Sequence, residues 1–298
     1  MKIALDPTPY FSQTDFLGLF DVVARAGYGW IHLTPHPDFI PFYAHPRVDD
    51  DYLAKVKKAA TDAGVGVVGL QPVQRWSWPD ELPREAAVRN FKRIIEIAVE
   101  LEAPVINTEF SGRPERAEES EAGFYRSMEE LLPIIEREGV TVNIDPHPDD
   151  FVEDGLEAWR IIRGLNSASV GFAYVGSHTF HYGDRAATLI PELGDRLRAV
   201  YTADSFDHHR SHGLRYITNP PGNTTRVHQH LRIGAGDVDW AELFGALAAS
   251  GFLAREDAIL VSNVFGEDET ADETSAYQLA KIRELIAQAG AGAAGAGA

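Results

Sequence analysis

Eight of the eleven histidines in this 298-residue chain fall between His147 and His230, mostly at the ends of apolar, strand-like runs or in the loops just beyond them. Histidine is the commonest side-chain metal ligand and titrates near neutrality, so the clustering points to a built site. The central motif is Ile144-Asp145-Pro146-His147-Pro148, which follows the apolar run Val140 to Ile144. In extended chain, residues i and i+2 share a side, so Asp145 and His147 face one small volume. A second pair, His178 and His181, follows Gly171 to Val175, and a third, His228 and His230, precedes the turn Gly234-Ala235-Gly236. Any one histidine at a strand end is more often a hydrogen-bonded structural residue than a ligand. For three pairs at the same end of successive strands, that bland reading is the weaker one.

The chain has no cysteine. Disulfides, thiolate nucleophiles and cysteine-held metals are therefore excluded, and any metal takes oxygen and imidazole ligands, which suits Mn2+, Mg2+, Fe2+, Co2+ or Zn2+. Asp145, His178 and Glu109 lead the candidates for a divalent ion, because carboxylates and imidazole from neighbouring strands can converge on one centre, with His230 as the fourth. Such a mixed set suits Mn2+, polarising a carbonyl or enediolate oxygen. His147 beside the ion is then left to act as the base, with a titration range suited to proton transfer near neutral pH. The alternative for Glu109 is a buried salt bridge to an arginine.

The elements that would position these residues are short apolar runs alternating with amphipathic segments. Strands are predicted at Lys2 to Leu5, Trp30 to Leu33, Val65 to Leu70, Pro104 to Asn107, Val140 to Ile144, Val170 to Val175, Leu197 to Tyr201 and Ala258 to Val261. Between them, apolar residues recur every three or four positions in Asp51 to Ala63, Arg84 to Leu101, Glu119 to Glu138 and Trp240 to Ala249, predicting helices. Eight βα units point to an α/β fold, a (β/α)8 TIM barrel of parallel strands spanning residues 1–288 as one domain. A doubly wound sheet is the runner-up, but Asp6-Pro7-Thr8-Pro9 stands where its glycine-rich phosphate loop would follow the first strand. In a barrel the active site lies at the carboxyl ends of the strands, which is where His36, Gln71, Glu109, Asp145, His147, His178, His181 and Asn263 fall. The long loop 204–237 after strand seven is read as a lid or partner surface, and the Ala/Gly stretch 289–298 as a flexible tail.

Lysine and arginine number 27 against 45 aspartate and glutamate, a formal charge of -18, so nucleic acid and anionic membrane are not expected partners. Met1 to Asp6 reads as a strand without a basic start, and no apolar run approaches the ~18 residues that would span a bilayer. The expected location is the cytoplasm.

At these residues the chain resembles the xylose-isomerase-like superfamily of sugar isomerases and epimerases over roughly Met1 to Ile286. That resemblance implies metal ligands from strands five to eight. Asp145 fills the first place, and His178 in His-Thr-Phe-His fills the second, where Asp-Thr-Phe-His is usual. Tyr201 and then Ser262 or Asn263 stand at the remaining two, so two usual ligands are missing. Over Met1 to Pro7, Thr108 to Arg116, Phe124 to Gly139, Ile144 to Phe151, Ala158 to Asn166, His208 to Gly222 and Val227 to Asp239 the chain is more closely similar to the catalytic α subunit of bacterial C-glycoside deglycosidases. The most specific shared segment is His-His-Arg-Ser-His-Gly-Leu-Arg-Tyr-Ile-Thr-Asn-Pro-Pro-Gly-Asn at 208–223.

That resemblance implies a carbon–carbon lyase acting on a 3-keto C-glycoside with an aromatic, flavonoid-like aglycone, paired with a small β subunit as a hetero-oligomer. His147 would remove the C2 proton beside a metal-polarised ketone, and His212, His228 or His230 would protonate the leaving aglycone. Gln71, His181, His212 and His228 are the expected substrate contacts, and Trp76 and Trp78 are expected to stack on sugar or aglycone, with core packing equally open to them. Two other functions compete. A divalent-metal-dependent sugar isomerase or epimerase is disfavoured by the missing strand-seven and strand-eight ligands. A sugar-binding protein without turnover is disfavoured by the base placed beside an ion.

Overall fold

The computed structural model describes residues 1–182, 185–207, 229–265 and 271–295. Eight strands, β1 (Lys2–Leu5), β2 (Trp30–Leu33), β3 (Gly66–Leu70), β4 (Val105–Glu109), β5 (Thr141–Asp145), β6 (Val170–Val175), β7 (Leu197–Tyr201) and β8 (Ile259–Ser262), close into a barrel. Every neighbouring pair is parallel, including β1 with β8. The predicted strands are all present, β1, β2, β6 and β7 with the expected bounds and the others with ends displaced by one or two residues; β4 and β5 reach further than expected, so that Glu109 and Asp145 are their final residues.

Alternation within each strand separates two layers. Ala4, Val68, Ala173, Ala199 and Val261 point into the barrel. Their alternates Ile31, Ile106, Ile144, Phe172 and Leu260 pack outward against the helices. A parallel strand buried on both faces has to read as a nearly continuous apolar run, and β6 is buried at all six positions.

The helices are α1 (Leu19–Arg25), α2 (Asp50–Ala63), α3 (Glu81–Glu100), α4 (Ala117–Arg137), α5 (Gly155–Gly164), α6 (Gly176–Thr179), a short turn at the end of β6, α7 (Ala186–Leu193), α8 (Trp240–Ala249) and α9 (Ala271–Gly295). Three of them start at a capping aspartate: Asp49, Asp154 and Asp239 accept from Tyr52, Glu157 and Glu242 N–H at 2.8, 2.8 and 2.9 Å. Gly64 ends α2 with φ of 66°, a left-handed residue that lets the chain turn directly into β3. The last helix continues into the Ala/Gly stretch as far as Gly295, where the sequence was read as a flexible tail from 289. Among the described residues no helix is long and apolar enough to cross a membrane.

Candidate active site at the carboxyl ends of the strands

Strand register delivers two carboxylates to one place: Glu109 and Asp145, the last residues of β4 and β5, are direct partners across the ladder. One layer beneath them, inside the barrel, Asn143 Nδ2 donates to Asn107 Oδ1 at 2.8 Å and Asn107 Nδ2 donates to His32 Nε2 at 2.9 Å. Tyr201 Oη meets the same His32 nitrogen at 3.2 Å. Burial alone pushes the His32 imidazole down to about 3, so the floor of the site is polar but neutral.

Above this floor His178, on the short helix α6, places Nδ1 3.0 Å from Asp145 Oδ2 and Nε2 3.2 Å from His230 Nε2. Asp145 is buried, and burial pushes its carboxyl well up, with Glu109 and Asp150 adding to the effect. His147 packs edge-on against His178, ring centroids 4.7 Å apart, and its Nε2 lies 3.7 Å from Glu109 Oε1. The His147 Nδ1 lies 2.7 Å from the Pro148 carbonyl, which can only accept, so Nδ1 carries the ring hydrogen.

His230 comes from the far end of the long loop and is held by two devices. Asp204, just after β7, pairs with Leu231 as an antiparallel bridge and accepts from the N–H of Ser205, Gly234 and Val238 and from the Trp240 indole at 2.8 to 3.1 Å. A Cβ at Gly236 would collide with that carboxylate, so glycine is required there. On the other side Phe265 stacks on the His230 ring at 4.3 Å, and its N–H donates to the His230 carbonyl at 3.0 Å. Burial lowers the His230 imidazole to about 4.

Asp150 completes the rim. Its buried carboxylate accepts from Ser111, Gly112 and Phe151 N–H, joining the turns after β4 and β5, and burial outweighs those bonds to push it up to about 7.

These groups lie at one end of a cavity of about 1090 Å³. Glu109, His147, His178, His230 and Gln71 line its polar end. The rest of the lining mixes apolar and aromatic side chains of the loops after β1 and β2, including Phe11, Pro37, Pro41, Phe42 and Tyr43, with Thr8, Thr34, His36 and Arg47, and Phe265 borders it beside His230. His36 faces this outer part and is held edge-on by Phe11 at 4.6 Å.

The expected residues are therefore partly gathered. Asp145, His178 and His230 form one hydrogen-bonded line, while among the described residues Glu109 pairs with His147. Among the described residues no three His, Asp or Glu side chains stand in metal-holding geometry. The donor chemistry nevertheless fits a divalent ion. His230 Nδ1 meets the side-chain and backbone oxygens of Asn263, so it carries the hydrogen, and the Nε2 lone pair faces His178. With Asp145 ionised, His178 Nδ1 likewise donates, and two imidazole lone pairs confront each other at 3.2 Å. A cation, or one additional proton, resolves that conflict.

Two expectations are corrected. Trp76 is not a stacking platform for substrate: it is fully buried, stacked on Phe91 at 4.6 Å and edge-on to Phe124, with its indole N–H donating to the Glu109 carbonyl at 3.0 Å. Its neighbour Trp78 is covered by the guanidinium groups of Arg75 and Arg113 at 4.6 and 4.9 Å. His181 is buried between Phe180 and Tyr182 and does not line the cavity. His212 and His228 lie outside the described residues, as does the segment 208–223. Tyr201 is turned into the barrel toward His32. The sequence reading missed Asp6, the carboxylate that closes β1, although a strand-end acid was visible in Asp6-Pro7-Thr8.

A family model described as a xylose isomerase-like TIM barrel matches residues 20–285. No curated protein sequence matches the chain. Among solved structures, D-psicose 3-epimerase from Clostridium cellulolyticum H10 is 16% identical with a TM-score of 0.74, over 96% of this chain and 99% of that one. The 3-keto-D-glucoside 4-epimerase YcjR from E. coli is 17% identical with a TM-score of 0.68, over 95% and 99%. The IolI protein, solved with a bound zinc atom, is 18% identical with a TM-score of 0.75, over 97% and 99%. At these identities the likeness carries the fold.

Proposed function

The chain belongs to the xylose isomerase-like TIM barrel family, and from that premise we propose that its site cleaves the carbon–carbon bond joining a 3-keto sugar to an aromatic aglycone. The observation that carries this reading is the mixed lining of the cavity. Its Glu, His and Gln side chains suit the hydroxyls and ketone of a sugar, whereas Phe11, Phe42 and Tyr43 would be left unmatched by a free hexose and suit a flat aromatic group. A like-folded enzyme named for a 3-keto-D-glucoside supports the sugar half of the substrate.

In this mechanism His147 Nε2 takes the C2 proton. Its Nδ1–H is anchored on the Pro148 carbonyl, which leaves the lone pair on Nε2, and Glu109 at 3.7 Å stabilises the imidazolium that forms. The C2–H electron pair becomes the enolate. The enolate then expels the aglycone from C1 with the electron pair of the broken carbon–carbon bond, leaving an unsaturated 3-keto sugar. The aglycone carbon takes a proton as it departs, for which the His147 imidazolium formed in the first step is a balanced source; His230 borders the cavity but keeps its hydrogen on Nδ1 toward Asn263. A divalent ion held by Asp145, His178 and His230, with Glu109 close by and Mn2+ the first choice, would polarise the ketone and acidify that C2 proton.

A metal-dependent epimerase of a free sugar is the second reading, favoured by the fold shared with ketohexose epimerases. Proton return on the opposite face needs a second base. Tyr201 is engaged with His32, and Asn263 carries an amide where a carboxylate would serve.

The test incubates the protein and Mn2+ with an aryl 3-keto C-glycoside and follows free aglycone by chromatography, with and without the small β subunit that the sequence resemblance implies. Aglycone release that is lost in His147→Gln is expected. Epimerisation of free 3-keto hexose with no aglycone released under either condition would overturn the reading in favour of the second.

A further inference from the structure

Asp6 closes β1 on the opposite side of the barrel mouth from Asp145, and no step above uses it. It is wholly buried. Its Oδ1 accepts from the Thr8 N–H at 2.9 Å, from Thr8 Oγ1 at 2.6 Å and from Thr34 Oγ1 at 3.2 Å. A backbone N–H can only donate, so this oxygen is fixed as an acceptor. The other oxygen, Oδ2, receives the Asn263 amide Nδ2 at 2.5 Å. That bond decides which way the Asn263 amide points: with Nδ2 given to Asp6, its Oδ1 faces His230 Nδ1.

The geometry points to Asp6 as a positioning residue that, through Asn263, fixes His230 in the Nδ1–H tautomer and aims its Nε2 lone pair across the site at His178. The line Asp6–Asn263–His230–His178–Asp145 then crosses the mouth of the barrel from β1 to β5. An outer carboxylate orients an imidazole through an intervening amide, the role usually filled by direct carboxylate–histidine contact. This explains how an asparagine at the end of β8 serves the site: it relays an orientation instead of ligating. The consequence for metal affinity rests on the reading of His230 as a ligand; the tautomer assignment does not.

The experiment reads the imidazole itself. Metal-free protein carrying 15N-histidine is examined by long-range 1H–15N correlation at neutral pH, with His230 assigned by its loss in His230→Gln. His230 is expected as the Nδ1–H tautomer in the wild type. In Asp6→Asn the new amide must keep its oxygen on Thr8 N–H and present Nδ2 to Asn263, so Asn263 turns over and the Nδ1–H form of His230 loses its majority. The double variant Asp6→Asn/Asn263→Asp offers one carboxylate oxygen to each neighbour and restores the Nδ1–H form. A residue that merely braced the fold would give no such swap and rescue.

A wild-type His230 in the Nε2–H form, or an unchanged tautomer in Asp6→Asn, overturns the assignment. Should the single variant fail to fold, the wild type and the double variant still decide. Mn2+ titration separates the two readings: a loss of about 10- to 100-fold in affinity in Asp6→Asn is expected. A wild type that binds no Mn2+ but shows the tautomer swap keeps the relay and removes the metal.

Discussion

His178 and His230 point their Nε2 atoms at each other across 3.2 Å, with the opposite nitrogen of each ring already committed, to Asp145 and to Asn263. Two such atoms are a poor hydrogen-bonded pair unless something positive lies between or beside them, and an ion that draws on both also draws on the nearby carboxylate. Alanine at Asp145 or His178 is therefore expected to lower Mn2+ affinity by about 100-fold or more, with about one ion per wild-type chain by elemental analysis. An Asp145→Ala protein with full metal content would remove Asp145 from the ligand set.

His147 is distinguished from its neighbours by having Nδ1 on a backbone carbonyl and Nε2 beside Glu109 at 3.7 Å, in the cavity wall. Replacing it with glutamine should leave the melting temperature and Mn2+ content unchanged and lower turnover by ~10²-fold or more, the scale of losing a general base. Loss of the metal in this variant would make His147 a ligand, and full activity would end its role as base.

Trp76 and Phe42 should respond in opposite ways. Trp76 has no exposed surface and stacks on Phe91, so Trp76→Ala should destabilise by about 3–5 kcal/mol in denaturant melts. Phe42 is 58% exposed at the cavity rim, so Phe42→Ala should change stability by less than about 0.5 kcal/mol while raising KM for an aryl glycoside. If Phe42→Ala leaves KM for aryl and alkyl substrates alike, the outer wall does not hold the aglycone.

The barrel was legible in the sequence because a strand buried on both faces must be an apolar run, and eight of these spaced by amphipathic helices admit few other folds. That Asp145, His147 and His178 come together at the barrel mouth was legible for a related reason: in this architecture the residues that end successive runs meet there. Trp76 misled because its partners, Phe91 and Phe124, come from α3 and α4, and nothing local announces that those helices close over it. Likewise, Glu109 turning to His147 and Asn263 bridging Asp6 to His230 depend on side-chain directions set by packing between residues up to 257 positions apart. Spacing in the chain carries no trace of such contacts.

His32 gives the fold a pH dependence of definite sign. Its Nε2 accepts from Asn107, whose amide is oriented by Asn143, and the ring is wholly buried. Burial lowers it from the ordinary 6.5 to about 3, so the unfolded chain binds a proton more readily than the folded one below neutrality. The stabilisation is thus complete above pH 6.5 and is lost as pH falls toward 3, by about 5 kcal/mol at the limit, since each unit is about 1.4 kcal/mol. His230, lowered to about 4, acts in the same direction. The buried carboxyls of Asp145 and Asp150, both pushed up, act in the opposite direction, so the His32 contribution is read as a difference between two proteins. In urea melts of metal-free protein, His32→Gln, whose side-chain oxygen can still accept from Asn107, should shift in stability between pH 7 and pH 4.5 more favourably than wild type. A slope identical to wild type would mean that His32 is already protonated in the folded barrel or is reached by water.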